Sequence, residues 1–203
     1  MTNSFLRAVA AAAAALSLGG CAALVVGGAV ATGLAVTDRR TTGVQIEDQS
    51  IELKALTRIR ETVGARGHVN ATSYNRMLLI TGEVPSEADR TALEQTLSRI
   101  EGVRSTVNEL AVMGSSSLAA RSNDTLLTSK VKASFVDAKD LQANAIKVVT
   151  ERSVVYLMGR VTEREANRAA DVARGVGGVA KVVKVFDILT EAELAALGPE
   201  PKK

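Results

Sequence analysis

The chain holds one cysteine, Cys21, and one histidine, His68, and these two residues bound the chemistry open to it. A zinc site needs several N or S ligands and a disulfide needs two thiols, so neither framework is available. Acyl transfer by a Ser-His-acid set needs the histidine, but His68 falls where the first strand begins, with no nucleophile motif near it. Gly175-Val176-Gly177-Gly178 has the glycines of a phosphate loop. It follows a helical pattern instead of a strand and lacks the Lys-Ser/Thr ending, so it reads as a helix stop. The neighbouring acids Glu163 and Glu165 fall at a helix start, where the macrodipole favours them without any catalytic role. No enzyme is expected, and no metal or cofactor. Aromatic residues make up 2% of the 203, with no Trp, which removes the stacking surface that nucleic acid uses. A net charge of +3 is too small to argue for a polyanion partner.

The chemistry left to Cys21 is acylation. Arg7 is followed by thirty residues without a charge, Ala8 to Thr37. Residues 1–20 have the parts of an export signal: a basic start, an apolar stretch from Ala8 to Leu18, then Gly19 and Gly20. Leu18-Gly19-Gly20-Cys21 resembles the bacterial lipobox, which implies that Cys21 becomes the first mature residue and carries diacylglycerol. An ordinary cleaved signal with a stray cysteine fits the same run. So does an uncleaved membrane helix, since the run exceeds the roughly 20 residues that span a bilayer. A thiol without a partner in an oxidising compartment argues against both. Ala22 stands where an Asp would resemble the inner-membrane retention signal, so the resemblance implies the outer membrane. Residues 21–45 read as a tether, rich in Ala, Gly and Val up to Val36 and polar over Asp38-Arg39-Arg40-Thr41-Thr42-Gly43, without a packed core of its own.

A repeat positions everything else. An offset of 76 or 77 residues pairs Asp48 with Asp124, Ile51 with Leu127, Ala55 with Val131 and Ile59 with Phe135. It then pairs Met77 to Val84 with Val154 to Val161, and Gly102-Val103 with Gly178-Val179. About 70 residues occur twice, longer than a solenoid unit, so each copy is expected to be a small domain with its own core. Ile51, Ala55, Ile59 and Val63 recur every four residues, as do Leu127, Val131 and Phe135, which predicts a helix in each copy with one buried face. Short Val/Ile/Leu-rich segments split at Ser73 to Arg76 and at Glu151 to Ser153 read as hairpins. Ser86 with Asp89 and Thr162 with Glu165 fit capping boxes opening a second helix, which Gly102 and Gly178 stop. A last strand runs from Val103 to Leu110 and from Val179 to Ile188. The expected class is α+β, each copy α-β-β-α-β, a three-stranded mixed sheet covered by two helices. The boundaries are 46–113 for the first domain, 114–121 for a linker, 122–190 for the second domain and 191–203 for a tail. Whether the pair is fixed or loose is left open.

That element order, with Gly82 and Gly159 in the second strands and the Gly-Val pairs opening the third, resembles the BON domain. Two such domains behind a lipobox resemble the dual-BON outer-membrane lipoproteins, most closely at Ser122-Asn123-Asp124-Thr125 and Val161-Thr162-Glu163-Arg164-Glu165-Ala166. The resemblance implies a periplasm-facing lipoprotein that binds anionic phospholipid through its second domain, gathers at division sites and supports envelope integrity, with outer-membrane assembly or division proteins as possible partners. The charges agree in part: Glu47 to Met113 holds ten acids and eight bases, or −2, and Ser122 to Thr190 holds eight acids and eleven bases, or +3. On the helix after Asp124, burial of Leu127, Val131 and Phe135 leaves Leu126, Lys130 and Ala133 on a flank, with Thr125 and Ser129 beside them. There a leucine can enter the acyl boundary while the lysine stem reaches a headgroup phosphate. The alternative is a periplasmic adaptor that docks on envelope proteins through the first domain's sheet or helix face, without recognising lipid headgroups.

Overall fold

A computed structural model describes residues 38–197. The expected signal segment, Cys21, the tether up to Thr37 and the last six residues lie outside the described residues. The first copy forms α1 (Thr42–Thr62), β1 (His68–Tyr74), β2 (Met77–Val84), α2 (Glu87–Ser98) and β3 (Ser105–Val112). The second forms α3 (Leu118–Asp137), β4 (Ile146–Glu151), β5 (Val154–Thr162), α4 (Glu163–Arg174) and β6 (Lys181–Leu189), and a short helix, α5 (Glu191–Ala196), opens the expected tail. Each copy builds a three-stranded sheet, ordered β1-β2-β3 and β4-β5-β6, with one antiparallel and one parallel pair. This is the α+β architecture that the periodicity predicts. No helix among the described residues is long and apolar enough to cross a membrane.

The helical stripes are buried as their spacing requires. Ile51, Ala55, Ile59 and Val63 pack on Leu78, Ile80 and Val84 of β2 and on Leu93 and Leu97 of α2. Val131 and Phe135 pack with Val155, Leu157 and Val161 of β5, against the alanines 166, 169, 170 and 173 of α4. The glycine shared by the second strands is required by a close approach: a Cβ on Gly159 would stand 2.5 Å from the Ala145 carbonyl oxygen, and one on Gly82 2.0 Å from that of His68.

Both hairpins turn on two residues with positive φ and without glycine, Asn75 (50°) with Arg76 (64°) and Arg152 (51°) with Ser153 (60°). This is the type I′ pattern, in which each L-residue costs about 1–2 kcal/mol. The matched acids of the repeat supply the compensation. Asp48 accepts the N–H groups of Asn75 and Arg76 at 2.8 Å each, and Asp124 accepts those of Arg152 and Ser153 at 2.8 Å each. Both carboxylates are buried, so the first buried position of each long helix fixes its own hairpin turn.

Four boundaries differ from the expectation. Thr41 caps α1 by accepting from Val44 N–H, so the helix begins inside the stretch read as tether. Ser117 caps α3 by accepting from Ala120 N–H, and Leu118 to Arg121, read as linker, form its first turn because nothing there breaks a helix. Of the two expected capping boxes, that of Thr162 and Glu165 closes reciprocally and that of Ser86 and Asp89 does not; Thr190 and Glu193 close another at the start of α5. Asp89 is one methylene too short to reach back to its cap N–H, and instead meets the Ser86 hydroxyl at 2.6 Å and Arg66 at 2.8 Å. Helices α2 and α4 end at Ser98 and Arg174, a turn before Gly102 and Gly178, which take positive φ of 91° and 104° in the following loops.

The two sheets pack face to face, which fixes the domain pair. Tyr74 and Leu79 from the first copy join Tyr156, Met158 and Val185 from the second in a third buried cluster. Each sheet therefore has helices on one face and the other sheet on the opposite one. That is why the first halves of β2 and β5, Met77 to Ile80 and Val154 to Met158, are apolar at successive positions instead of alternating. Polar pairs edge the seam: Lys147 with Glu52 at 2.9 Å, Asn75 with Asp187 at 2.7 Å, and Arg152 donating to the Gly82 carbonyl at 3.1 Å.

Candidate functional site

Helix α3 turns Asp124, Leu127, Val131 and Phe135 into the second core. Its opposite face is open. Leu126, Lys130, Ala133, Thr125 and Ser129, the five residues singled out by spacing or resemblance, are all exposed there. Two further apolar side chains join them, Leu118 at 79% and Val136 at 70% exposure, beside Leu126 at 63%. At 100° per residue, Leu118, Leu126, Ala133 and Val136 fall on one side of the helix, with Lys130 and Lys132 on its two flanks. The hydroxyls between them turn inward: Thr125 donates to the Arg121 carbonyl at 3.0 Å and Ser129 to the Thr125 carbonyl at 3.1 Å. Back-bonded in this way, they leave the face less polar than its sequence. Sequence reasoning missed Leu118, which it assigned to a linker, and Val136. The signal lay in the steps of eight, seven and three residues from Leu118 through Leu126 and Ala133 to Val136.

A second cluster joins the two domains ahead of α1. Arg39 donates to both oxygens of Glu165, at 2.7 and 2.8 Å, and to the Arg160 carbonyl at 2.8 Å. Arg160 returns a hydrogen bond to the Arg39 carbonyl at 3.1 Å. The next residue, Arg40, turns to the first domain, meeting Asp48 at 2.8 Å with its guanidinium carbon 4.0 Å from the centre of the Tyr74 ring. Asp38 pairs with Arg40 at 2.7 Å. Burial alone would raise the Asp38 carboxyl, but the hydrogen bonds from Arg40 prevail and hold it below its ordinary value. Consecutive arginines thus plug into opposite domains. The sequence showed only a polar end to an uncharged run, which gives no sign of the carboxylates that the fold brings to it.

The other residues weighed for chemistry have structural roles. His68 opens β1, its ring within 3.3 Å of the Asn70 amide. Glu163 is exposed in the first turn of α4, and Glu165 serves as cap and as the partner of Arg39. Gly175 to Gly178 form the loop after α4.

Comparison with known proteins turns this geometry into a family. The BON domain profile matches residues 47–114 and 123–190, the two copies of the repeat. The chain belongs to the BON-domain family. It is 40% identical over 179 residues to the outer membrane lipoprotein DolP of Haemophilus influenzae, covering 87% of this chain and 92% of that protein. It is 28% identical over 152 residues to a 21 kDa hemolysin of Actinobacillus pleuropneumoniae, covering 74% and 78% of the two chains. It is 27% identical over 117 residues to the osmotically-inducible protein Y of Escherichia coli, covering 56% and 58%. A dual-BON, DolP-like outer-membrane lipoprotein is the coarse description that follows, and no catalytic family is indicated.

Proposed function

We propose that this dual-BON protein is acylated at Cys21, faces the periplasm from the outer membrane, and binds anionic phospholipid through the outward face of α3. In this way it supports envelope integrity, with enrichment at the division site. The observation that carries the reading is the exposed row Leu118, Leu126 and Val136 flanked by lysines on the domain with the +3 balance. Leucine and valine can lie in the acyl boundary while Lys130 and Lys132 reach headgroup phosphates. Near an anionic surface each lysine adds about 1 kcal/mol. Tethering by the acyl chains keeps the face at the bilayer, so its own affinity can be modest.

Vesicle sedimentation tests this reading. The protein should sediment with phosphatidylglycerol or cardiolipin vesicles and much less with neutral ones, and Leu126→Ser with Lys130→Glu should weaken the binding without changing the thermal melt. Equal binding to anionic and neutral vesicles would favour the adaptor reading, in which the first domain docks on envelope proteins. Mass spectrometry of the mature N-terminus tests acylation of Cys21.

A further inference from the structure

The first domain has a strand edge whose hydrogen-bonding groups are unused. A two-residue turn makes Tyr74 and Met77 a hydrogen-bonded pair, and alternate pairs back along the ladder bond likewise. The register pairs Thr72 with Leu79 and Asn70 with Thr81, so the backbone groups of Ser73, Ala71 and Val69 point away from β2. Ser73 is satisfied at this outer edge, where Glu52 accepts its N–H at 2.8 Å and Lys147 donates to its carbonyl at 3.4 Å. Among the described residues, nothing bonds the outward N–H and C=O groups of Ala71 and Val69. Beside them runs a groove of about 450 Å³ between β1 and α1, with Leu53, Leu56 and Ile59 as its apolar wall and Gln49 and Glu52 towards one end. Leu53 is 68% exposed and Ile46, further along the same helix, 63%.

We infer that this edge of β1 is a docking site for an extended segment of a partner protein, apolar at alternate residues. The unpaired N–H and C=O groups select for peptide backbone, because a strand added at an edge satisfies them. The period of two in that strand then lays every second side chain into the groove against Leu53 and Leu56. Glu52, at the end of the groove, is already paired with Lys147 and the Ser73 N–H, and the domain carries ten acids against eight bases. That balance disfavours an anionic bilayer, and lipid tails offer nothing to backbone donors and acceptors. The aligned positions of α3 are Ser129 and Lys132 where α1 has Leu53 and Leu56, so the two domains present different surfaces at equivalent sites.

The test uses the full-length, isotope-labelled protein and, as probe, a short synthetic peptide of alternating valine and threonine. On binding, the amides of Val69 and Ala71 should shift and exchange about tenfold more slowly. A peptide N-methylated at alternate residues should bind about tenfold more weakly or worse. Ala71→Pro, which removes one outward donor, should abolish the response. Should that variant fail to fold, Leu53→Lys, at an exposed position, must still weaken binding with an unchanged melt. The inference is overturned by unmoved Val69 and Ala71 amides at millimolar peptide, by equal binding of the methylated peptide, or by a response confined to another strand edge. Self-association through β1 without peptide overturns it too, by assigning the edge to a second copy.

Discussion

The guanidinium of Arg39 forks onto both carboxylate oxygens of Glu165 while that carboxylate also accepts the Thr162 N–H at 2.9 Å. One side chain therefore caps α4 and holds the segment ahead of α1 against the second domain. Both partners are under 10% exposed, so this pair differs from the exposed ion pairs elsewhere on the surface, which contribute little.

Removing the arginine should leave a buried carboxylate without its main partner. Arg39→Ala is expected to lower the unfolding free energy at pH 7 by about 2–3 kcal/mol. Arg39→Lys should recover part of it, keeping the charge but losing the fork. The hydrogen bonds from Arg39 are the largest influence on Glu165 and hold it below its ordinary range. A lowered folded value means that the stabilisation is complete above the unfolded value of about 4.3 and fades as pH falls through the folded one. The gap between Arg39→Ala and wild type should therefore close in acid. Urea titrations at pH 7 and pH 3 measure it, and a gap that persists unchanged at pH 3 counts against the pair as its origin.

A second prediction concerns the turns held by Asp48 and Asp124. Asp124→Ala should destabilise the protein by several hydrogen bonds' worth, about 2–4 kcal/mol, because two N–H groups lose their acceptor while Arg152 and Ser153 keep a costly conformation. Replacing Ser153 by Gly relieves the backbone without restoring the bonds. In the Asp124→Ala background, Ser153→Gly should return about 1 kcal/mol, read as the shift in urea midpoint. No recovery from glycine would show that the cost lies elsewhere than in the turn.

The domains were legible because their signals are local. Stripes at Ile51 to Val63 and Leu127 to Phe135, the aligned glycines and the Ser86 and Thr162 caps each act within a few residues, and the repeat reinforced them. What escaped depends on contacts that spacing does not encode. Arg39 and Glu165 are 126 residues apart. Leu79 and Met158 face a second sheet instead of solvent, a fact carried only by the successive apolar residues Met77 to Ile80 and Val154 to Met158 that open β2 and β5. The α3 face was half visible: Leu126, Lys130 and Ala133 follow from the buried stripe, whereas Leu118 needed the position of a helix start that Ser117 decides.

The seam between the sheets supplies a pH-dependent prediction of the opposite sign to Arg39. Glu151 is buried there, with the Asn70 amide donating to it at 3.0 Å and the fully buried Glu83 close by. One oxygen of Glu83 has no hydrogen-bond partner, and Arg152 stands 3.9 Å from it. Burial pushes the Glu151 carboxyl above its ordinary value; the Glu83 charge adds to this and the Asn70 hydrogen bond opposes it. Ionised Glu151 therefore costs stability, fully so above its raised value, and the cost disappears as pH falls to the unfolded value of about 4.3. Glu151→Gln, which still accepts from Asn70, should melt higher than wild type at pH 7.5 and equally at pH 4. A lower melt at pH 7.5 would mean that the charge is stabilising.

The α3 face makes a prediction that separates its apolar from its charged part. If Leu118, Leu126 and Val136 enter the acyl boundary, each contributes on the order of 1 kcal/mol through partial burial. Changing all three to Ser should then weaken binding to phosphatidylglycerol vesicles by roughly a hundredfold. Lys130→Glu with Lys132→Glu should do similar damage by reversing two charges at the surface. Salt distinguishes the two. Screening shortens the reach of the lysines, so binding by the triple-Ser variant, which relies on charge, should collapse between low and physiological salt. The residual binding of the double-Glu variant, which relies on apolar contact, should not fall with added salt. Exposure of all three apolar residues in the structure makes both variants compatible with an unchanged melt. If the triple-Ser variant binds as well as wild type at every salt concentration, the face acts by charge alone and the apolar row has another role.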